Sequence, residues 1–296
     1  MKIPGWRTSQ PTPAVIRPAD DELDLFGVTH QGKVRAQNQD QFMVCTIHPQ
    51  VVVHQTSLPS AESLPLRGSR AATLLLVADG VGGAADGGEA ARLATECITQ
   101  YAASTLRTYH ATTGPTDEQK FFEALRKAVL EAHAAVLALS ARRPDQRRMA
   151  TTLTLAISVY PWCYVVQVGD SRCYIFSGNA LRQVTRDQTV GQQLVDDGLM
   201  PADRLRHSPY SNVLASAIGG EEATPEVTRV DVTERGCVVF LCSDGLTKHV
   251  SDPEIESHLR TMQSSEQVCH ALVGLALERG GSDNITVVAG RAPLKR

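Results

Sequence analysis

Three runs in this chain are apolar almost from end to end and then stop on a carboxylate. They are LLLVADG (Leu74–Gly80), YVVQVGDS (Tyr164–Ser171) and VVFLCSDG (Val238–Gly245). Runs of this composition and length read as strands, and a strand apolar at nearly every position is buried on both faces. Asp79, Asp170 and Asp244 therefore mark the points where buried strands end, and each is followed by Gly or Ser. Asp283, in GGSDNITVV, stands just before another such strand. Sheet edges bring strand ends together across long sequence separations. Several carboxylates gathered there repel one another, which raises their pKa values unless a cation neutralises them. An all-oxygen ligand set selects hard ions such as Mg²⁺ or Mn²⁺ over Zn²⁺. The glycine after the aspartate is expected to let the backbone bend and its carbonyl approach the ion. One Asp of this kind is more simply a turn or cap residue. Four in matching contexts point to a metal centre.

Periodicity organises the rest. Residues 1–22 are rich in Pro, Thr and charge and are expected to form a flexible leader. Strand patterns follow at Leu23–Val28, Gln41–Ile47, Val51–His54 and Thr73–Ala78, with a Pro/Ser/Gly-rich loop insertion at about 48–70. Helical spacing then takes over at Ala90, Leu93, Cys97 and Tyr101, and again from Phe122 to Leu139 after a start signal at Thr116–Glu118. Strands return at Thr151–Val159, Trp162–Val168, Arg172–Phe176, Val227–Val232 and Cys237–Cys242. Two helical patterns, Pro253–Thr261 and Glu266–Glu278, precede a last strand at Ile285–Ala289. Runs of strands and pairs of helices argue for α+β, with two sheets face to face and helices on the outside. Residues 187–215, with several charges and two prolines, read as a lid-like excursion.

Bulk properties exclude several classes. A net charge of −3 and scattered Lys and Arg give no nucleic-acid footprint. No apolar run approaches the ~20 residues that span a bilayer, and the N-terminus has no apolar segment of the signal-peptide kind. Seven cysteines with no C-x-x-C pair, most of them in apolar segments, fit buried thiols in a cytoplasmic protein.

Other chemistries fit less well. Gly27 to Lys33 matches G-x-x-x-x-G-K, but Val34 stands where a P-loop needs Ser or Thr. Cys242 is followed by SDGLTKH, which has no arginine to close an anion loop, so it reads as strand packing. Asp170-Ser171 lacks a G-x-S-x-G elbow. None of the nine histidines has ligand spacing.

GVTHQGKVRAQNQD (Gly27–Asp40), VADGVGG (Val77–Gly83), VGDSR (Val168–Arg172), LCSDGL (Leu241–Leu246) and GGSDNITVV (Gly280–Val288) occur in the order of a known family. On these motifs the chain resembles the metal-dependent protein phosphatases of type 2C, the PPM family, in their compact bacterial form. The resemblance implies one domain over about residues 23–292, a four-layer α-β-β-α sandwich of two mostly antiparallel sheets flanked by helix pairs. It also implies hydrolysis of phosphoserine and phosphothreonine by a bridging water activated by Mn²⁺ or Mg²⁺, two or three ions per chain. Carried over residue by residue, Asp79 bridges both ions and the Gly80 carbonyl binds one. Asp244 and Asp283 complete the other ion's shell, and Asp170 with Asp244 matches a third position. Asp40 holds ion-bound water from outside, and Arg35 binds the substrate phosphate, with Lys33 left as a surface charge. The implied partners are phosphorylated proteins, a Ser/Thr kinase and its substrates, acted on by a cytoplasmic monomer. Three departures stand out: Gln39 where many relatives have Glu, Val81 where animal relatives have His, and Gln188 where many have His. Gln39 and Val81 are the support for a competing reading, a weak or inactive binding module of the same fold. Gln188 is expected to affect packing near the lid.

Overall fold

The computed structural model describes residues 17–50, 52–55, 57, 67–82, 86–109, 115–142 and 149–294. Most of the expected leader, and much of the insertion at 48–70, lie outside these residues.

In chain order the elements are β1 (Asp24–His30), β2 (Gln41–Ile47), β3 (Ala72–Ala78), β4 (Gly80–Val81), α1 (Asp86–Tyr109), α2 (Pro115–Ala141), β5 (Ala150–Thr151), β6 (Leu153–Val159), β7 (Trp162–Val168), β8 (Arg172–Ser177), β9 (Ala180–Gln183), α3 (Val190–Asp196), β10 (Glu226–Asp231), β11 (Val238–Cys242), α4 (Asp244–Thr247), α5 (Asp252–Thr261), α6 (Ser265–Glu278) and β12 (Ile285–Arg291). One sheet has the order β1-β12-β11-β8-β9 and the other β10-β7-β6-β3-β2, while β4 and β5 form a small ribbon. All pairings are antiparallel.

The uninterrupted apolar runs have a simple cause. In β3, Leu74 and Leu76 face α1 and α2, packing with Ala90, Ile98, Val129 and Val136. Leu75 and Val77 point the other way, into the space between the sheets, against Ile175, Val239, Leu241 and Val288. In β11, Phe240 and Cys242 turn outward toward Ile255, Leu259 and Leu272 of α5 and α6. Strands alternate faces, so a strand with a helical layer on one side and a second sheet on the other needs apolar residues at every position. The expected four layers are therefore present.

Some boundaries differ. The strand expected at Val51–His54 is absent across 52–54, where Val52 is 66% exposed. Among the described residues no face covers Val52, and an isolated bridge, Gln50 to Arg67, is the pairing found nearby. The short edge strand β9 alternates exposed and half-buried residues and was not anticipated. At the N-terminal end, the buried Arg70 donates to Asp20 Oδ1 and to the Pro18 carbonyl, so residues just before β1 are tied down.

Candidate metal centre

Chain crossings between the sheets place the acidic residues. β1 and β2 belong to different sheets, and Asp40 closes the loop between them; β7 and β8 also belong to different sheets, and Asp170 lies in their turn. Asp79 follows β3, Asp244 follows β11 and Asp283 precedes β12. All five therefore lie at one end of the sandwich, in the cleft between its sheets. Their proximity is felt electrostatically. Burial raises Asp79 well above the usual carboxylate range, and Asp40, Asp244, Asp170 and Asp283 each raise it further.

Hydroxyl side chains fix these strand ends. The Asp79 amide donates to Thr152 Oγ1 at 3.0 Å, while its carbonyl accepts from the Thr152 amide and from Thr151 Oγ1. Thr152 Oγ1 also lies 2.7 Å from Ser171 Oγ, linking the turn at Asp79 to the turn at Asp170. Ser171 is fully buried in this contact, which removes it as a nucleophile. Asp170 is buried, and this raises its carboxyl to about 8, with Asp244 adding to the effect.

Asp40 is held by the other sheet. Its Oδ2 accepts from Ser243 Oγ at 2.8 Å and from Thr286 Oγ1 at 2.6 Å. Burial raises this carboxyl to about 6, against the lowering effect of the two hydroxyls. Asn284 ties the loop before it in place. Its Nδ2 donates to the carbonyls of Gln31 and Gln37, and its Oδ1 accepts from the Gln39 amide.

The glycines serve closeness rather than bending. Neither Gly80 nor Gly245 has a positive φ. A Cβ on Gly245 would lie 1.9 Å from the Asn284 carbonyl oxygen, and one on Gly80 would lie 2.4 Å from the Gly87 backbone. The expected bend at these glycines is thus replaced by backbone-to-backbone packing, which no larger residue permits.

Two cations meet the acidic residues. Arg35 grips Asp283 with both ends of its fork, Nε to Oδ1 at 2.7 Å and Nη2 to Oδ2 at 2.8 Å. Lys248, one helical turn beyond Asp244, places Nζ 2.6 Å from Asp244 Oδ2 and 2.7 Å from Asp283 Oδ2. Burial raises Asp283, but its bonds to Arg35 and Lys248 outweigh this and hold it below the ordinary value. Lys33 and Val34 are exposed and stand apart.

The donor set suits a hard cation. Among the described residues, Asp40 Oδ1 and Asp244 Oδ1 are buried with no hydrogen-bond partner. Buried oxygens left unpaired among several carboxylates are what an oxygen-ligated ion would satisfy. Among the described residues, no three His, Cys, Asp or Glu side chains enclose a common point as ligands would. Asp283 is drawn onto Arg35 and Lys248 instead.

Sequence reasoning named the aspartates but missed Ser243, Thr286, Thr152, Asn284 and Lys248. The one readable signal was the Asp244–Lys248 spacing of four, which pairs charges on a helix. Gln188, at the start of the lid, ties it to the turn that carries Asp170: its Oε1 accepts from the Gly169 amide and its Nε2 donates to the Thr224 carbonyl. Cys242 is fully buried, and burial pushes its thiol far up, so it is inert.

The sequence profile of protein phosphatase 2C matches residues 56–276. The serine/threonine protein phosphatase PstP of Mycobacterium tuberculosis is 33% identical over 220 residues, 73% of this chain but 40% of that protein. The chain thus spans less than half of that relative. The serine/threonine phosphatase stp of Listeria welshimeri is 30% identical over 215 residues, 73% of this chain and 82% of the relative. Among solved structures, the PstP catalytic domain in complex with two manganese ions superposes with a TM-score of 0.69 at 29% identity, covering 92% of this chain and 99% of that one.

Proposed function

The chain belongs to the protein phosphatase 2C family, and from that premise we propose that it is a metal-dependent protein serine/threonine phosphatase acting on phosphoserine and phosphothreonine. The observation that carries this reading is the meeting of Asp40, Asp79, Asp170, Asp244 and Asp283 at one end of the sandwich, with two buried carboxylate oxygens unpartnered. Nothing in that set has been lost, which separates the chain from a non-catalytic module of the same fold. Asp79, the Gly80 carbonyl, Asp244 and Asp283 are the residues to hold two ions, Mn²⁺ or Mg²⁺. Asp170 with Asp244 offers a third position.

Bound ions of this kind make a coordinated water acidic near neutral pH and draw charge from phosphoryl oxygens. The protein's own groups do the rest. Arg35, with its side chain 53% exposed, can turn its planar fork from Asp283 to two phosphate oxygens and offset charge that develops during transfer. Asp40, held by the Ser243 and Thr286 hydroxyls, orients water from beneath. No thiol or serine takes part. Val81, 40% exposed at the rim, has no proton to give a leaving group.

Residues 187–215, which contain α3, a 3-10 turn at Ala202–His207 and a bridge between Thr189 and Leu214, start beside the Asp170 turn, where the Gln188 amide donates to the Gly169 carbonyl, and serve as the flap that meets the protein substrate. Phosphorylated proteins are the substrate class, with a Ser/Thr kinase and its targets the natural partners by family analogy. Seven unpaired cysteines suit a cytoplasmic setting, and no helix among the described residues is long and apolar enough to cross a membrane. We take the enzyme to act as a monomer.

The test is phosphate release from a phosphothreonine peptide with Mn²⁺, followed by excess EDTA. Activity should vanish on chelation and in Asp244→Asn. Turnover that survives both would overturn the proposal.

A further inference from the structure

Asp283 is the one acidic residue of the centre with every lone pair committed. Its Oδ1 accepts from Arg35 Nε at 2.7 Å and from the Asn284 amide at 2.9 Å. Its Oδ2 accepts from Arg35 Nη2 at 2.8 Å and from Lys248 Nζ at 2.7 Å. A carboxylate offers about four such positions, and all are taken. Asp244 is divided: Oδ2 is held by the same Lys248 ammonium, while Oδ1 is buried and free. Asp40 Oδ1 is likewise free.

The centre is therefore unequal. On one side, Asp244 Oδ1 and, behind it, Asp40 Oδ1 have no partner among the described residues, so an ion with its bound water can be received there without breaking an ion pair. On the other, between Asp244 and Asp283, a positive charge is already installed on a side chain fixed to α4. We propose that the Lys248 ammonium is a resident cation at the Asp244–Asp283 position, and that the ion held by Asp283 enters only by displacing it. The inference rests on the metal-dependent reading of the site.

The consequences follow from charge. Lys248 neutralises two aspartates when no ion is bound, so the acidic end of the sandwich stays together in the metal-free protein. An ion entering there must release the lysine into solvent, and breaking its two charged hydrogen bonds weakens binding by about tenfold or more. Two unequal classes of site result, with Lys248 acting on the weaker. Arg35 becomes free to meet a phosphate only when Asp283 turns to an ion, so the same displacement couples metal loading to substrate binding. Lys248 is in this sense a positioning residue, acting through Asp283.

The experiment is calorimetric titration of the metal-free full chain with Mn²⁺, alongside Lys248→Met, Lys248→Gln and Lys248→Arg. Wild type should show a tight and a weak class. Lys248→Met and Lys248→Gln should tighten the weak class by about tenfold or more, by more than they tighten the tight class, and melt at lower temperature without metal. Lys248→Arg should stay weak. If the neutral variants bind Mn²⁺ in the weak class no more tightly than wild type, while still melting lower, the lysine is a structural ion pair and the inference fails. If wild type and variants alike bind no Mn²⁺, the inference falls together with the phosphatase reading.

Discussion

Removing the metal should reverse the ordinary acid sensitivity of this protein, and Asp40 shows how strongly. Its carboxyl is raised from 3.8 to about 6, first by burial and then by the neighbouring Asp244. The sign follows from which state holds the proton. Between about pH 4 and pH 6 the folded protein keeps a proton on Asp40 that the unfolded chain has released, so stability falls as pH rises through that window. Holding the carboxyl near 6 rather than near 4 corresponds to about 3 kcal/mol lost by pH 7. Asp170, raised to about 8, carries the fall onward toward pH 8. For a domain of this size the loss on Asp40 alone amounts to roughly 10 °C in Tm. The assay is thermal unfolding in EDTA at pH 4, 5, 6, 7 and 8, for wild type and for Asp40→Asn. Wild type should melt at lower temperature as pH rises. The variant keeps oxygen acceptance from Ser243 and Thr286 but cannot ionise, so its fall across pH 4–6 should be flattened. Saturating Mn²⁺ should abolish the trend in wild type, because a bound cation stabilises the ionised carboxylates. A metal-free Tm that climbs from pH 5 to pH 8, or an equal slope in Asp40→Asn, would refute the reasoning.

Other substitutions read the same framework. Gly245→Ala puts a methyl 1.9 Å from the Asn284 carbonyl oxygen, which should cost at least about 2 kcal/mol and show as a lowered Tm; an unchanged Tm would mean that this close approach does not exist. Asn284→Ala removes three hydrogen bonds to Gln31, Gln37 and Gln39 and should destabilise by about 2–4 kcal/mol. It should also raise KM for a phosphopeptide, because the loop that carries Arg35 is released; urea unfolding and steady-state kinetics check both. Gln188→Ala removes the acceptor of the Gly169 amide and loosens the turn that carries Asp170, whose Gly169 carbonyl keeps its bonds to the residue 188 amide and Gln167 Nε2. It should lower Tm by a few degrees, and a Tm equal to wild type would exclude the clamp.

How much of this was legible in the sequence depended on whether a residue acts through its own chain segment. The apolar runs announced β3, β7 and β11, because burial on both faces leaves few polar positions in a strand, such as Gln167 in β7. Asp79, Asp170, Asp244 and Asp283 were legible because each repeats one context, a strand end next to Gly or Ser, whereas Asp40, between Gln39 and Gln41, was named only through the family resemblance. Val51–His54 misled because local apolar character does not say whether a covering face exists, and Val52 has none. The short strand β9 was missed because four residues give a period-2 pattern too little length to register. Ser243, Thr286 and Asn284 were illegible for a different reason. Each acts on residues more than 200 positions away, so its role exists only once β1, β11 and β12 are side by side. Lys248 lay between. Its spacing from Asp244 predicts a helical ion pair, but its second partner, Asp283, is reached only through the fold.

The account holds that carboxylates at the strand ends, and not the thiol beside them, carry the chemistry. Cys242 and Asp244 are two residues apart, one fully buried at the end of β11 and the other opening α4. The direct measurement is kcat/KM for a phosphothreonine peptide in saturating Mn²⁺, with Cys242→Ala and Asp244→Asn compared to wild type. Cys242→Ala should lose about 1 kcal/mol of stability from the small void and keep its activity. Asp244→Asn should stay folded and lose at least about a hundredfold in kcat/KM. An active Asp244→Asn, or a folded but inactive Cys242→Ala, would contradict the account.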